Sequence, residues 1–406
     1  MRLFALGSNG SGQLGLGHAE DVSIPTQCLF QEDLGPDETV IKIVAGGNHT
    51  LLLTNKKHVY AAGCNTDGRC GPVTSDDDSQ DVDNLLTFRR VILTDCVTGV
   101  NIDTFTTISA TWEGSVLVAA VPDPSDQDVY QDKVFVMGSS PKGELGLEWL
   151  ASVKSATKAI QPGVSIPDFP PSSTQIVALA SGMGHSVAIL SNGHVYGWGG
   201  SRKGQLGDSL KGEKVVWTPT EIQGLPFAAQ TAVCGREFTV ICGDRSKGEL
   251  VVLGDKANRW GVLNVPVSLQ LSTPDGNGKT LMPFSDIGAS WHGIYVHAIS
   301  YGASDKAQSN RLMAWGRNDR GQLPPEDFPS PVKMAVGSEH VVTLMDNGIV
   351  AAFGWGEHGN CGTHTDDRGN VTGQCSQIPL TSVMAGGGRV TGLGAGCATS
   401  WIIAEY

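Results

Sequence analysis

The 406-residue sequence has no C-x-x-C pair, few aromatics at 6%, and no apolar run near the roughly 18 residues that cross a bilayer. Nine cysteines are scattered from Cys28 to Cys397. Without local pairing, neither a disulfide framework nor a sequence-local zinc clasp is expected, and free, mostly buried thiols are. The start, "MRLFALGSNG", is not a signal peptide, so a cytoplasmic location is expected, with the nucleus as a second compartment. Positive charge is scarce too: 28 Lys and Arg against 41 Asp and Glu leave a net charge of −13. That argues against direct nucleic-acid binding, which requires a basic surface. The run Asp76-Asp77-Asp78 reads as a solvated loop.

Catalytic patterns are missing as well. The sequence contains no G-x-S-x-G, G-x-x-x-x-G-K-[ST], H-E-x-x-H, or H-x-E followed by C-x-x-C. "GLGAGCATS" (392–400) is glycine-rich but leads into a strand, not into a helix that would cradle phosphate. No catalytic residue, cofactor or metal ligand is therefore assigned.

What the chain does have is glycine, 53 residues, roughly twice average usage. Many of these fall in a repeated frame. "WGGSRKGQLG" (198–207) is matched by "LGSNGSGQLG" (6–15), "AGCNTDGRCG" (62–71), "MGSSPKGELG" (137–146), "WGRNDRGQLP" (315–324) and "FGWGEHGNCG" (353–362). A seventh copy, "LGDKANRWG" (253–261), reads as one residue short. In "FGWGEHGNCG", Glu357, His358 and Cys361 could suggest a metal site. However, Cys361 fills the slot that Leu14, Leu145, Leu206 and Leu323 fill elsewhere, so it reads as a buried apolar residue.

A second element, G-x-x-H-[ST] followed by alternating apolar residues, also occurs seven times. It is clear in "AGGNHTLLLT" (45–54), "SGMGHSVAIL" (181–190) and "VGSEHVVTLM" (336–345), and weaker at 110–119, 234–243, 288–297 and 395–404. Period-two alternation reads as strand. Asn192-Gly193 and Asn347-Gly348 between apolar runs read as hairpin turns with both positions at positive φ. Such units cannot bury their faces alone and must pack against one another. The chain ends after the strand "SWIIAEY" and starts with "MRLFALG", which supplies the missing next strand. The fold expected is all-β: one seven-bladed β-propeller over residues 1–406, closed by pairing of its N- and C-terminal strands. Stretches near 72–104, 120–133, 148–174, 208–230, 264–286 and 300–310 read as surface-loop insertions.

His49, His185, His292 and His340 fill one repeated slot, where bonds to neighbouring backbone would lock adjacent blades. Two residues before that slot vary. They are Gly47-Asn48, Trp112-Glu113, Met183-Gly184, Arg236-Glu237, Ser290-Trp291, Ser338-Glu339 and Cys397-Ala398. Equivalent flanks place these pairs in a ring on one face. Trp112, Glu113, Arg236, Glu237, Trp291 and Glu339 are the partner-binding candidates, because aromatics and Arg are the usual anchors. Trp112 and Trp291 could equally plug the central channel.

The frame with its G-x-x-H-[ST] element resembles the repeat of the regulator-of-chromosome-condensation family. "FALGSNGSGQLGLGHAED", "GWGEHGNCG" and "GCATSWII" look most like its fungal branch of alpha-tubulin suppressor or killer-toxin-insensitivity proteins. The resemblance implies a non-enzymatic subunit paired with a small CSL-type zinc-ribbon protein, diphthamide biosynthesis protein three, which carries the metal and electrons. Through that pair it implies support of diphthamide synthesis on elongation factor two and of Elongator-dependent wobble-uridine modification in tRNA. The alternative it implies is guanine-nucleotide exchange on a small GTPase. Against the exchange factor that founded the family stand the acidic composition and the absence of a basic N-terminal tail ahead of the first blade strand.

Overall fold

In the computed structural model the chain forms seven small antiparallel sheets arranged as the blades of a propeller. The structure describes all residues except 73–82, 124–125, 154–158, 273–278 and 302–307; the aspartates at 76–78 lie outside the described residues. From the axis outward, blade 1 comprises Val40–Ala45, His49–Thr54, Val59–Cys64 and Asn84–Arg90. Blade 2 comprises Thr107–Ala110, Gly114–Asp123, Asp126–Gly138 and Ile160–Ser165, and blade 3 Ile176–Ser181, His185–Leu190, Val195–Gly200 and Val215–Glu221. Blade 4 (Thr231–Cys234, Thr239–Cys242, Leu250–Leu253) and blade 5 (Phe284–Ala289, Gly293–Tyr301, Gln308–Gly316) have three strands each among the described residues. Blade 6 runs Lys333–Val336, His340–Leu344, Val350–Trp355 and Asn370–Gln377. Blade 7 is split as expected: Arg389–Ala395 and Thr399–Glu405 are joined by Arg2–Gly7 and Val22–Gln27, with Arg2 opposite Ala404 and Gly7 opposite Thr399.

Three of the expected insertions contain outer strands instead: Asn84–Arg90, Ile160–Ser165 and Val215–Glu221. Each pairs across a register shift, as between Ala61 and Gly63 in blade 1. The shift breaks strict alternation, so Leu85 and Phe88, three apart, are both buried, and no period-two signal survives.

In six of the seven frames the first glycine has a geometric reason; Gly254 of blade 4 does not share it. In Gly7, Gly63, Gly138, Gly199, Gly316 and Gly354 φ lies between 97° and 123°, and an added Cβ would collide with the backbone carbonyl of Ala398, Asn48, Glu113, Gly184, His292 or Glu339. Those same carbonyls accept from the amide after the glycine, for example Cys64 N–H to Asn48 at 2.8 Å and Trp355 N–H to Glu339 at 2.9 Å. A side chain there would open the close approach.

This register corrects two alignments. In blade 5, Gly316 pairs with Gly293, so Gly293 and not His292 occupies the histidine slot, and Trp291-His292 is the variable pair. In blade 4 the frame is not short. Asn258 Oδ1 accepts from Leu263 N–H, as Asn65 Oδ1 accepts from Cys70 N–H, so the loop is longer and its frame ends at Asn264. The frame's closing glycine has φ of 68–96° at Gly15, Gly71, Gly146, Gly207 and Gly362, each leading to an outer strand. Asn264 and Pro324 replace it in blades 4 and 5, the two blades without a fourth strand among the described residues.

The Asn-Gly hairpins form, but only the glycines, Gly193 at 82° and Gly348 at 83°, have positive φ. The turns are three-residue loops in which Asn192 Oδ1 and Asn347 Oδ1 accept from the amides of His194 and Ile349. Of the thiols, Cys28, Cys70, Cys242 and Cys361 are buried, Cys64, Cys234 and Cys397 half-buried, and Cys96 and Cys375 exposed. Fewer are buried than expected.

The slot histidines do lock adjacent blades, through hydroxyls and, at His185 and His340, also through the backbone of Phe238 and Thr399 on the next blade. His49 Nε2 meets Ser115 Oγ, His185 Nε2 meets Thr239 Oγ1 and His340 Nε2 meets Ser400 Oγ, each at 2.9 Å and each on the next blade. Ser115 and Ser400 donate onward to the carbonyls of Arg69 and Asn360 at 2.7 and 2.8 Å. Their oxygens therefore accept from the imidazole, which fixes the Nε2–H tautomer at His49 and His340. Burial holds His49 down at about 3 and His185 and His340 at about 4, so all three are neutral at pH 7.

Candidate protein-binding face

The loops joining first to second and third to fourth strands emerge at one end of the propeller, opposite the Asn-Gly hairpins. Around the axis this face is tied by inter-blade amides. Gly47 N–H donates to Trp112 C=O, Trp112 to Met183, Arg236 to Trp291, Trp291 to Ser338 and Ser338 to Gly396, at 2.8–3.0 Å. With blade 5 in its observed register, Trp112 and Trp291 occupy the same ring position on nearly opposite blades.

The two indoles meet over the axis, ring centroids 5.7 Å apart, and both line the upper channel. They are half-buried, so the pair caps the channel and stays partly exposed. The Arg236 guanidinium lies over Trp291 at 5.5 Å. Below the cap the channel holds a cavity of about 340 Å³ lined by the inner strands, with Lys42, Asp286, Ser109, Ser181 and Cys234 among its walls. Burial lowers Lys42 to about 8; its ammonium donates to Thr107 Oγ1 at 3.0 Å.

The other candidates separate. Glu237 is exposed beside Arg236, while Glu113 accepts from Ser139 Oγ at 2.9 Å. Glu339 is only 5% exposed and is held by both Arg317 and Arg320. It is committed within the chain and presents little to a partner.

The frame loops bring in residues that the sequence reading missed. Trp260 is flanked by the Arg259 and Arg317 guanidinium groups at 4.8 and 4.9 Å and by His292 at 5.8 Å. Trp355 carries Arg320 at 5.1 Å and donates to Glu357 Oε2 at 3.0 Å. Burial, then Arg317 and Arg236, hold His292 at about 4, neutral among these cations. Arg317 and Trp355 follow the invariant frame glycine directly, a variable position that was legible in the sequence. Trp260 was hidden by the misread blade-4 loop.

Glu357, His358 and Cys361 do not converge. Glu357 serves Trp355, His358 Nδ1 lies 2.7 Å from Asp21 Oδ2 on the split blade, and Cys361 is fully buried with its thiol near the Trp355 carbonyl. Among the described residues no cluster of three or more His, Cys, Asp or Glu could hold a metal ion.

Against known proteins, models of the regulator of chromosome condensation (RCC1) repeat match residues 2–53 and 192–242, and a second such model matches 40–69 and 176–205. An RCC1 repeat-containing protein of Schizosaccharomyces pombe is 29% identical, over 99% of both chains. The secretion-regulating guanine nucleotide exchange factor of Mus musculus is 24% identical, over 90% of this chain and 76% of the relative. Among solved structures, Prp20p of Saccharomyces cerevisiae superposes with a TM-score of 0.70 at 20% identity, covering 99% of this chain and 91% of that one. Human WBSCR16 gives 0.69 at 15% identity over the whole of both chains.

Proposed function

For a chain that carries the repeats of the regulator-of-chromosome-condensation family and shares its propeller fold, we propose a non-catalytic role: a rigid platform that grips a protein partner on its loop face. The observation that carries this reading is the gathering of Trp112, Trp260, Trp291 and Trp355 with Arg236, Arg259, Arg317 and Arg320 on that face. Trp and Arg are enriched in binding hot spots, where each supplies a large, directional contact. Blade loops held by these five inter-blade amide bonds are pre-organised, so little ordering opposes binding.

The partner we propose is the small CSL-type zinc-ribbon protein of diphthamide biosynthesis, supported by the likeness of both chain ends to the fungal branch. In that role the platform serves diphthamide synthesis and Elongator-dependent tRNA modification, and the partner brings the metal. Calorimetric titration with the zinc-loaded ribbon protein tests both parts. Trp112→Ala or Trp291→Ala should each weaken binding by about 2 kcal/mol or more with unchanged circular dichroism. Full affinity in both variants would reject the loop face, and absence of any complex would reject the partner.

A second reading, exchange on a small GTPase, is favoured by the secretion-regulating exchange factor among the relatives. Accelerated release of labelled nucleotide from candidate GTPases would establish it.

A further inference from the structure

Neighbouring joints of the propeller treat their arginines in opposite ways. Between blades 5 and 6, Arg317 is forked by Asp319, Nε to Oδ1 at 2.6 Å and Nη2 to Oδ2 at 2.9 Å, and donates again to Glu339. Glu339 also accepts from Arg320 Nη1 at 3.0 Å. One carboxylate from each blade thus neutralises the two guanidinium groups.

Backbone and loop bonds identify the same two positions between blades 4 and 5. Trp355 N–H donates to Glu339 C=O and Arg317 N–H to His292 C=O, both at 2.9 Å, so His292 stands where Glu339 stands. Asn318 Oδ1 accepts from Leu323 N–H and Asn258 Oδ1 from Leu263 N–H, both at 3.0 Å. Arg259, one residue on, therefore stands where Asp319 stands. An imidazole replaces the first carboxylate and a further cation the second.

The charge left over is concentrated. Arg236 lies over Trp291, while Arg259 and Arg317 flank Trp260. All three act on His292: after burial, Arg317 and Arg236 hold it neutral, with Asp319 opposing and Arg259 adding to them. Arg317 already has its carboxylates, but among the described residues Arg236 and Arg259 make no ion pair. A planar guanidinium accepts a carboxylate through parallel N–H bonds, and the adjacent joint shows these loops holding one.

We propose that Arg236 and Arg259 bind a carboxylate from outside the chain, an Asp or Glu side chain of a protein docked on the loop face, seated beside His292. Charge and position favour that source. Two copies of a chain of net charge −13 repel each other. The chain's own acidic stretch, Asp76-Asp77-Asp78, lies between Pro72 and Asp83 of blade 1, as far round the ring from blades 4 and 5 as seven blades allow. The half-buried indoles of Trp260 and Trp291 beside the site offer more surface than a small free acid covers. The proposal rests on the loop face being the docking face, and not on the identity of the protein that docks.

A rhodamine-labelled peptide of alternating Glu and Gly is the probe, with its Gln counterpart as control. The chain as a whole repels an acidic peptide, so binding reports a local cluster. The Glu peptide should bind saturably and the Gln peptide should not. Arg236→Gln and Arg259→Gln should each weaken binding about tenfold, and Arg202→Gln, which removes the same charge from the blade 3 loop on this face, by less than about twofold. His292→Glu returns a carboxylate to the place of Glu339, removes no arginine, and should weaken binding at least as much as either. Equal binding of both peptides, unchanged binding in both arginine variants, or displacement by inorganic phosphate at the peptide's own concentration would overturn the proposal. A wild-type dimer lost in Arg236→Gln would overturn it too, because a second copy would then supply the carboxylate. So would peptide binding about tenfold tighter once Asp76, Asp77 and Asp78 are all replaced by Asn, which would assign the carboxylate to this chain. Peptide binding without any zinc-ribbon complex would keep the site and reject that partner, whereas a ribbon complex indifferent to Arg236→Gln and Arg259→Gln would keep the face and reject the site.

Discussion

Protonation of His340 connects the blade lock to a measurable stability. The imidazole is fully buried, donates to Ser400 Oγ on the next blade, and is held by burial at about 4 against an ordinary 6.5. A base whose folded pKa is depressed binds protons more readily when unfolded. Its contribution is therefore complete above about pH 6.5, falls as pH drops through the window from about 6.5 to about 4, and levels off below. Going from about pH 7 to about pH 5 should remove roughly 2 kcal/mol through this group alone. His185 behaves alike and His49 at least as strongly. Together they approach roughly 6 kcal/mol, comparable with the whole stability of a typical domain. Urea unfolding at both pH values, for the wild type and for His340→Gln, isolates the effect because the glutamine does not titrate. The wild type should lose about 2 kcal/mol more than the variant across that interval. Equal losses in the two proteins would refute the neutral, donor-locked imidazole.

Two further substitutions probe the same joints. Ser115→Ala strands both the His49 Nε2–H and the Arg69 carbonyl in the interior, so unfolding measurements should show a loss of about 2–3 kcal/mol. Gly316→Ala forces a Cβ onto the His292 carbonyl at a φ of 123°, and a melting-temperature drop corresponding to about 2 kcal/mol or more is expected. An alanine at Gly10, which meets nothing within 4 Å, should leave the melting temperature nearly unchanged.

Much of the architecture was written in the sequence by itself, and for a local reason. The opening glycine of six frames is required by a contact within its own blade, so the requirement recurs from blade to blade. Counting such requirements revealed seven units, and the two half-units at the chain ends implied ring closure. The burial of Cys361 and Cys70 followed from the Leu slot they share. Other features depended on what faces what across the ring, and tertiary structure alone decided them. Register around Gly293 put Trp291 level with Trp112, and closure of the ring then brought the two indoles into contact. Glu339, read as an open anchor, became an internal ion pair because the neighbouring frame loop delivers Arg317 and Arg320 to it. The histidine partners were hydroxyls of the next blade, a residue spacing of 60 or so that no local pattern encodes. A repeat specifies its own backbone, but the chemistry of its free positions is set by neighbours that arrive only when the ring closes.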